Sequence, residues 1–386
     1  MFLLLEGMYM RYVGIFLICG AIIVMPFVSY AIAKLASRGL RGSIDIPGYA
    51  VEDERIPIRI SISGWSSLLG PITINEGLPE WFERISDDPF MVAGNGDHTI
   101  QARAHKRGEY ILGPLAMGIS DPLGFFRSSI RQGDTYKVVI LPSPLRVPEL
   151  EISQPASHAD FAADAASGRG TKGSGLDFHG VREYQPGDDL RRVHWPSTAR
   201  HGRLDVIEFE HVALPETVVA IETKRGTEVG SGRFSSLEYS VKLAAAIAEH
   251  SMAAGGTVAL AGVENSEQAD RQSTGPDHLY AILEALARVQ ADGDCSLSEV
   301  LLAQLDRVRS SSEIICLVPR LDDAVVRAAA LLGSRGVRVR VVVIAVGSTV
   351  PGSEHSSELV AAGASLVVLE CSNKSMQCRV SYSHAI

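Results

Sequence analysis

A chain of 386 residues is long enough for two or three domains, each able to bury its own core. Its formal net charge of -9 and pI near 5.7 exclude a general electrostatic affinity for nucleic acid, which requires a basic face. The five cysteines, Cys19, Cys295, Cys316, Cys371 and Cys378, are odd in number and nowhere in Cys-x-x-Cys spacing, so neither a disulfide framework nor a zinc site is expected and a reducing compartment is the default.

In chain order, the first predicted element is an apolar helix over Tyr12 to Leu35, whose single charge, Lys34, stands at its end. About 22 mostly apolar residues are enough to cross a bilayer as a helix. A cleaved signal peptide is the rival reading, but its apolar core runs to only about 7 to 15 residues before a small-residue cleavage site. Pro26 lies inside the run, where membrane helices tolerate it. Lys34, Arg38 and Arg41 follow the span while Arg11 precedes it beside Glu6, so the excess of basic residues assigns the soluble body to the cytoplasm. Met1 to Leu5 is apolar but too short to cross, and would fit the stump of a preceding span in a hairpin anchor.

From Ser43 to about Leu141 the pattern has period two, most plainly at Ile56, Ile58, Ile60 and Ile62, which predicts a strand with one buried face. Further strands are predicted at Pro71 to Asn75, His98 to His105, Tyr110 to Leu112 and Tyr136 to Leu141, with a tight turn at Gly94-Asn95-Gly96-Asp97. Short strands punctuated this way predict a β-sandwich-like domain over residues 42–146, after a membrane anchor over 1–41. Residues 147–177, rich in Ala, Ser, Gly and Asp, read as a flexible linker. Within it, Gly168 to Gly175 is no phosphate-binding loop: Lys172 precedes Gly173 and breaks the required Gly-Lys-Ser/Thr order.

Residues 178–211 concentrate charge. Arg182, Arg191, Arg192, Arg200 and Arg203 stand beside Glu183, Asp188, Asp189, Asp205, Glu208 and Glu210, with Tyr184, Gly187, His194, Trp195 and His201 among them. Three readings are open. The arginines, with Tyr184 and Trp195 as stacking surfaces, suit an anionic or acidic partner. Asp188, Asp189 and His194 are conceivable acids, bases or ligands of a membrane-tethered hydrolase. The near balance of opposite charges equally suits internal pairing that locks an irregular segment.

From residue 212 to 386 apolar strands alternate with amphipathic helices. Strands are predicted at Thr217 to Ile221, Thr257 to Val263, Ile314 to Val318, Val337 to Ala345 and Ser365 to Leu369, and helices at Ser235 to Met252, Asp277 to Val289 and Asp322 to Ser334. In the first helix Leu237, Val241, Ala244, Ala248 and Met252 draw one apolar stripe. Nearly all-apolar strands joined by helices predict a mostly parallel sheet covered on both faces, a doubly wound α/β domain.

The run from Phe178 through Gly187, Asp188, Asp189, Arg191, Arg192 and Trp195, with Ser197 to Arg200, resembles the signature of the bacterial family called domain of unknown function 58. Lys106-Arg107-Gly108-Glu109-Tyr110, Leu112-Gly113-Pro114 and Asp121-Pro122-Leu123-Gly124-Phe125-Phe126-Arg127 are also similar to that family, whereas Pro196 departs from it, since a basic residue more often follows the tryptophan. The resemblance implies a membrane hairpin, a β-rich domain, the signature segment and a C-terminal domain similar to von Willebrand factor type A. It further implies a MoxR-type AAA+ ATPase as partner, in chaperone-like maturation or cell-envelope processes.

A type A domain commonly holds magnesium through Asp-x-Ser-x-Ser after its first strand, where carboxylate and hydroxyl oxygens suit a hard cation. Here Glu222-Thr223-Lys224-Arg225-Gly226 occupies that stretch, without either serine, and Pro319-Arg320 followed by Asp322 and Asp323 ends the later strand. Lys224 and Arg225 repel a dication, so neither metal nor other cofactor is expected. Two readings of this degenerate loop stand: Lys224 or Arg225 replaces the cation and meets a partner's carboxylate directly, or the loop is inert. The combined expectation is an interaction scaffold with no catalytic residues, a lipid bilayer and an ATPase as partners, and no nucleic acid.

Overall fold

A computed structural model describes residues 2–64, 72–75, 77–85, 91–92, 96–121, 123–145, 147, 172–185, 193–210, 216–263, 269–309, 312–347 and 355–384. The expected turn at 94–95, the linker between 148 and 171, and the signature residues Gly187, Asp188, Asp189, Arg191 and Arg192 lie outside them. The chain divides into two compact units, Met1–Ser143 with Leu283–Val289, and Pro144–Ile282 with Gln290–Ile386.

The first unit opens with helix α1, Phe2–Gly39, of 38 residues. Its stretch Leu17–Gly39 is long and apolar enough to cross a membrane. Towards its end Ser29, Ala33, Ser37 and then Leu40 are buried, at helical spacing, while Leu17, Ile18, Ile22, Ile23, Val24, Phe27 and Val28 are exposed.

Eleven strands follow: β1 Arg41–Asp45, β2 Tyr49–Val51, β3 Arg55–Ser63, β4 Ile72–Asn75, β5 Phe82–Arg84, β6 Met91–Val92, β7 Gly96–Ala104, β8 Gly108–Leu112, β9 Leu115–Ser120, β10 Arg127–Gln132 and β11 Tyr136–Leu141. They form sheets of order β1-β3-β7-β5, β10-β9-β4-β6 and β2-β11-β8. The period-two pattern is the cause of the packing. In β3 every second residue, Ile56, Ile58, Ile60 and Ile62, is buried and every intervening one exposed. These isoleucines meet Ile72, Leu112, Leu115, Met117, Ile119, Val138 and Ile140 from the other sheets in one core.

The motif Lys106-Arg107-Gly108-Glu109 has a structural task in this unit. The buried Arg107 guanidinium donates to the carbonyls of Leu286 (2.9 Å) and Val289 (2.6 Å), as a basic side chain does at the end of a helix. Beside it Glu109 accepts from Lys137 and Arg288; the hydrogen bond from Lys137, aided by that from Arg288, outweighs burial and holds its carboxyl below the usual range.

The second unit corrects the linker expectation. Residues 172–177 are strand: they belong to β12, Lys172–Glu183, which pairs antiparallel with β13, Asp205–Glu210. Of this stretch only Lys172 and Asp177 pair, both opposite Glu210, and the glycine-containing residues between them form a bulge in the ladder, as glycines in strands often do.

The rest of the unit is built on β14 Glu216–Ile221, α3 Ser236–Ala253, β15 Thr257–Ala261, α4 Pro276–Arg288 (of which Leu283–Arg288 belongs to the first unit), α5 Leu297–Ala303, β16 Glu313–Val318, α6 Asp323–Ser334, β17 Arg338–Val346, α7 Ser356–Ala361, β18 Ser365–Cys371 and β19 Cys378–His384. The sheet order is β15-β14-β16-β17-β18-β19, parallel except for the last pair. Val218, Ala220, Ile314, Cys316, Val341 and Val343 pack with α5 and α6 residues such as Leu301, Val325 and Leu332. The alternate residues Val219, Ile221, Ile315, Leu317, Val342 and Ile344 point to the opposite face and are equally buried, so both faces are covered and the strands read as unbroken apolar runs.

Two features differ from expectation. Helix α3 is buried nearly all round from Ser236 to Ala248 rather than along one stripe. Its outer side is covered by segments distant in sequence: the Tyr239 hydroxyl donates to the carbonyls of Ser372 (2.6 Å) and Ser375 (2.8 Å), and the Leu145 amide donates to the Lys242 carbonyl (3.0 Å). Second, Cys371 and Cys378 are set directly opposite one another by the β18–β19 hairpin, at the distance of a disulfide that an oxidising compartment would close. Sequence counts carry no such register.

Candidate functional site

Two places carry the chemistry-bearing residues singled out in the sequence. The first is the β12–β13 hairpin and the short helix α2, Trp195–His201, inserted before β13. Pro196 near its start supplies a pre-set φ, and Gly202 in the left-handed region (φ 67°) ends it, its N–H donating to the Thr198 carbonyl. Since α2 is only seven residues long, its tertiary bonds must hold it. The His194 N–H donates to the Asp205 carbonyl (2.8 Å), Val193 bridges to Val206, and the Asp205 N–H donates to the Thr198 hydroxyl (3.1 Å).

Asp205 is the centre of this arrangement. Only 3% exposed, its carboxylate meets His201 at 2.7 Å and Arg203 at 3.7 Å. Arg203 reaches Glu183 at 3.1 Å, and Arg182 donates to the Glu183 carbonyl at 3.0 Å. Tyr184 joins through its backbone, donating to the Leu204 carbonyl at 2.8 Å. The described part of the signature therefore spends much of its charge on locking the segment, which is what the structural reading expects. Trp195 is different: at the first helical position it is 67% exposed, and Arg200 in the last turn is exposed as well. Val181 and Leu204 add exposed apolar surface on the same segment.

His194 comes within 2.7 Å of the Ser197 hydroxyl, a contact that nucleophilic catalysis also uses. Here the same ring nitrogen, Nδ1, accepts the Ser197 backbone N–H at 3.3 Å, the geometry of a helix N-cap. Capping accounts for both bonds.

The second place is the end of β14. In an open parallel sheet the crevice outside the carboxyl ends of the strands, where the order reverses, is the expected ligand position. With β14 between β15 and β16, that point is formed by Glu222 to Arg225 and by Pro319 to Asp323. Every described carboxylate there is engaged by its own chain. Glu222 accepts the Lys224 N–H (3.0 Å) with one oxygen and the Leu297 N–H (3.1 Å) at the start of α5 with the other. Asp322 caps α6 by accepting the Val325 N–H (2.8 Å), and Asp323 faces Arg327 and His355. Glu299 accepts the Ser296 N–H in a capping box, and this bond, with the Ser296 hydroxyl and the nearby Lys224 charge, holds its carboxyl below the ordinary range.

The loop is also tightly closed. Thr223 donates its hydroxyl to the Gly262 carbonyl (3.0 Å), the Gly293 N–H donates to the Thr223 carbonyl (3.0 Å), and the Arg225 N–H donates to the Gly293 carbonyl (2.9 Å). A Cβ on Gly262, which has a φ of 80°, would stand 2.6 Å from the Ile221 carbonyl oxygen, and one on Gly293 2.8 Å from the Thr223 hydroxyl, so both positions require glycine. Among the described residues no group of three His, Cys, Asp or Glu side chains converges as metal ligands do. Lys224 and Arg225 are exposed, Arg225 reaching the Asp292 carbonyl at 3.4 Å.

Sequence reasoning passed over Asp205 as a hub, although its spacing of four from His201 was a readable cue, and passed over the Ser296 to Glu299 capping box, which has a sequence signature of its own.

An apolar N-terminal helix, a β-rich region and a mixed α/β body define the class of protein. Residues 180–355 match the family model described as "Protein of unknown function DUF58", and the match supports this family for the chain. No curated protein matches it. A solved structure, the PKD domain of an M14-like peptidase from a Thermoplasmatales archaeon, is 13% identical over 26% of this chain and 92% of its own, with a TM-score of 0.17 that carries no argument.

Proposed function

We propose that this chain is a membrane-anchored interaction scaffold, with α1 as its anchor, its body on the cytoplasmic side and the signature helix α2 as the surface that a MoxR-type AAA+ ATPase recognises. The observation that carries the reading is Trp195: a large aromatic held exposed on a short helix beside the paired charges of His201, Arg203, Asp205 and Glu183. Exposed tryptophans and arginines are the residue types that dominate the energetics of protein interfaces. The commitment of Glu222, Asp322 and Asp323 to internal bonds supports recognition over chemistry at the sheet's carboxyl end. In this reading the α/β unit is related to von Willebrand factor type A domains, supported by a parallel sheet with helices on both faces.

The test is binding of a purified MoxR-type AAA+ ATPase to the full chain in lipid nanodiscs. Trp195→Ala lowers affinity by roughly tenfold or more, the mark of an interface hot spot, with unfolding unchanged. Absence of binding, or binding indifferent to Trp195, overturns the proposal. The cytoplasmic placement has its own check, because cytoplasmic thiols are kept reduced. Cells treated with a permeant alkylating agent should give a chain modified at both Cys371 and Cys378; protection of the pair until a reductant is added argues for the opposite side of the membrane.

A further inference from the structure

We infer that the turn built by Asp121 and Leu123–Phe126 is a second membrane contact: Leu123, Phe125 and Phe126 enter the lipid headgroup region beside the point where α1 leaves the bilayer. This rests on the reading of α1 as an anchor and adds a lipid-facing element of the β-rich unit to it.

The length of α1 sets the geometry. At about 1.5 Å per residue its 38 residues extend roughly 57 Å, nearly twice a hydrocarbon core of about 30 Å. Part of the helix must therefore stand outside the hydrocarbon, and the burial pattern shows where it packs on protein instead. Leu17, Ile18, Ile22, Ile23, Val24, Phe27 and Val28 are exposed at positions that run all round the helix, as lipid-facing residues do, whereas from Ser29 onward one face, Ser29, Ala33, Ser37 and Leu40, is buried and Tyr30, Ile32 and Leu35 stay exposed on the others. Packing of α1 on the β-rich unit thus begins at Ser29 and Tyr30, inside the stretch Leu17–Gly39 that is apolar enough to cross a membrane.

The turn is fixed at that height by two contacts. The Ser29 hydroxyl donates to the Asp121 carboxylate, and the Tyr30 ring meets the Phe126 ring edge-on with centroids 5.6 Å apart. Asp121 also organises the turn from within, accepting the Phe126 N–H (2.6 Å) and the Leu123 N–H (3.0 Å). Burial alone would raise the pKa of this carboxyl, but the bonds from Ser29, Phe126 and Leu123 outweigh it and hold it low, so the group keeping the turn in shape is ionised at neutral pH.

The turn thus holds its apolar side chains outward. Leu123 is 49% exposed, Phe125 59% and Phe126 36%, within four residues. Such a cluster is unfavourable in water and favourable among headgroups, where aromatic side chains gather. Its surroundings match an anionic lipid surface: Arg127 and Arg131 lie on the exposed positions of the strand that follows, and Lys34, Arg38 and Arg41 on and after the emerging end of α1. Continuity with the apolar surface of α1 through Tyr30 singles out the bilayer, and not a protein, as the occupant.

The experiment uses the full chain reconstituted into vesicles of phosphatidylcholine and phosphatidylglycerol brominated at a shallow acyl position, comparing Phe125→Trp and Ile22→Trp with the unmodified chain. Both replaced side chains are exposed, so neither substitution disturbs packing. The expected result is that the emission added at both positions is quenched by roughly half relative to vesicles without bromine. Quenching at position 22 without quenching at 125 overturns the inference and leaves the anchor standing. Quenching at neither, or failure of the chain to float with vesicles, overturns the anchor and the inference with it. Quenching at 125 alone overturns the anchor and keeps the turn as a lipid contact.

Discussion

The six-stranded sheet and the β12–β13 hairpin belong to the same unit and are held in opposite ways. In the sheet each parallel strand buries apolar residues on two faces, so its stability scales with area removed from water. In the hairpin the described side-chain contacts are mostly polar, and the Arg203–Glu183 pair is more than half exposed, where ion pairs contribute little. Packing therefore accounts for the parallel strands of the sheet, whereas the hairpin displays exposed residues that folding does not require. Trp195 is the clearest of them.

Leu317 is fully buried in β16, and Leu317→Ala should cost about 2–5 kcal/mol. Denaturant unfolding of the full chain followed by circular dichroism checks this; an unchanged midpoint would show that the sheet core is not what holds the unit. In the hairpin the largest effect should come from Asp205→Asn, which weakens the charge-assisted contact with His201 and the attraction to Arg203 at a cost of roughly 1.5–3 kcal/mol. Because α2 leans on this network, amide exchange at Thr198 to Gly202 should accelerate selectively, while that of β16 and β17 stays slow. A uniform acceleration would mean that hairpin and sheet unfold together.

The same contrast explains what was legible in the sequence. The strands of the α/β sheet and the alternating isoleucines of β3 were readable because burial writes itself into local pattern. Residues 172–177 were not, since their place in the strand rests on Lys172 and Asp177 meeting Glu210, more than thirty positions away, and their own composition favours a loop. The full burial of α3 was hidden for a similar reason: its outer face is covered through Leu145, Ser372 and Ser375, which are distant in sequence. Of the candidate site, Trp195, Arg200, Glu183 and Lys224 were visible as residue types, but which charges are spent internally and which face solvent required the tertiary contacts.

Tyr239 sharpens the comparison at an intermediate scale. Burial pushes its hydroxyl up to about 12, and the neutral form donates to the Ser372 and Ser375 carbonyls. A folded-state value above the unfolded one means that the stabilisation is complete below about pH 10 and is lost as pH rises from there towards about 12. Tyr239→Phe should cost about 1 kcal/mol at neutral pH, and the gap between variant and parent should narrow over that alkaline range. A gap that does not narrow would mean that the hydroxyl contributes nothing through its proton.

The smallest expected effect on folding is the most informative about function. Trp195→Ala removes a side chain that is 67% exposed, so its effect on stability should stay within about 0.5 kcal/mol. If the melting curve is unchanged while ATPase binding falls, the tryptophan serves recognition alone, and the hairpin is a device for displaying it. If instead the variant loses as much stability as Asp205→Asn, Trp195 is packed in solution, and the contrast drawn between a self-explaining sheet and an unexplained hairpin disappears. Ser197→Ala separates a third outcome: a hydrolase that used the His194–Ser197 contact would retain partner binding and lose turnover, whereas an N-cap keeps its bond from the backbone N–H of position 197 and loses only the hydroxyl contact.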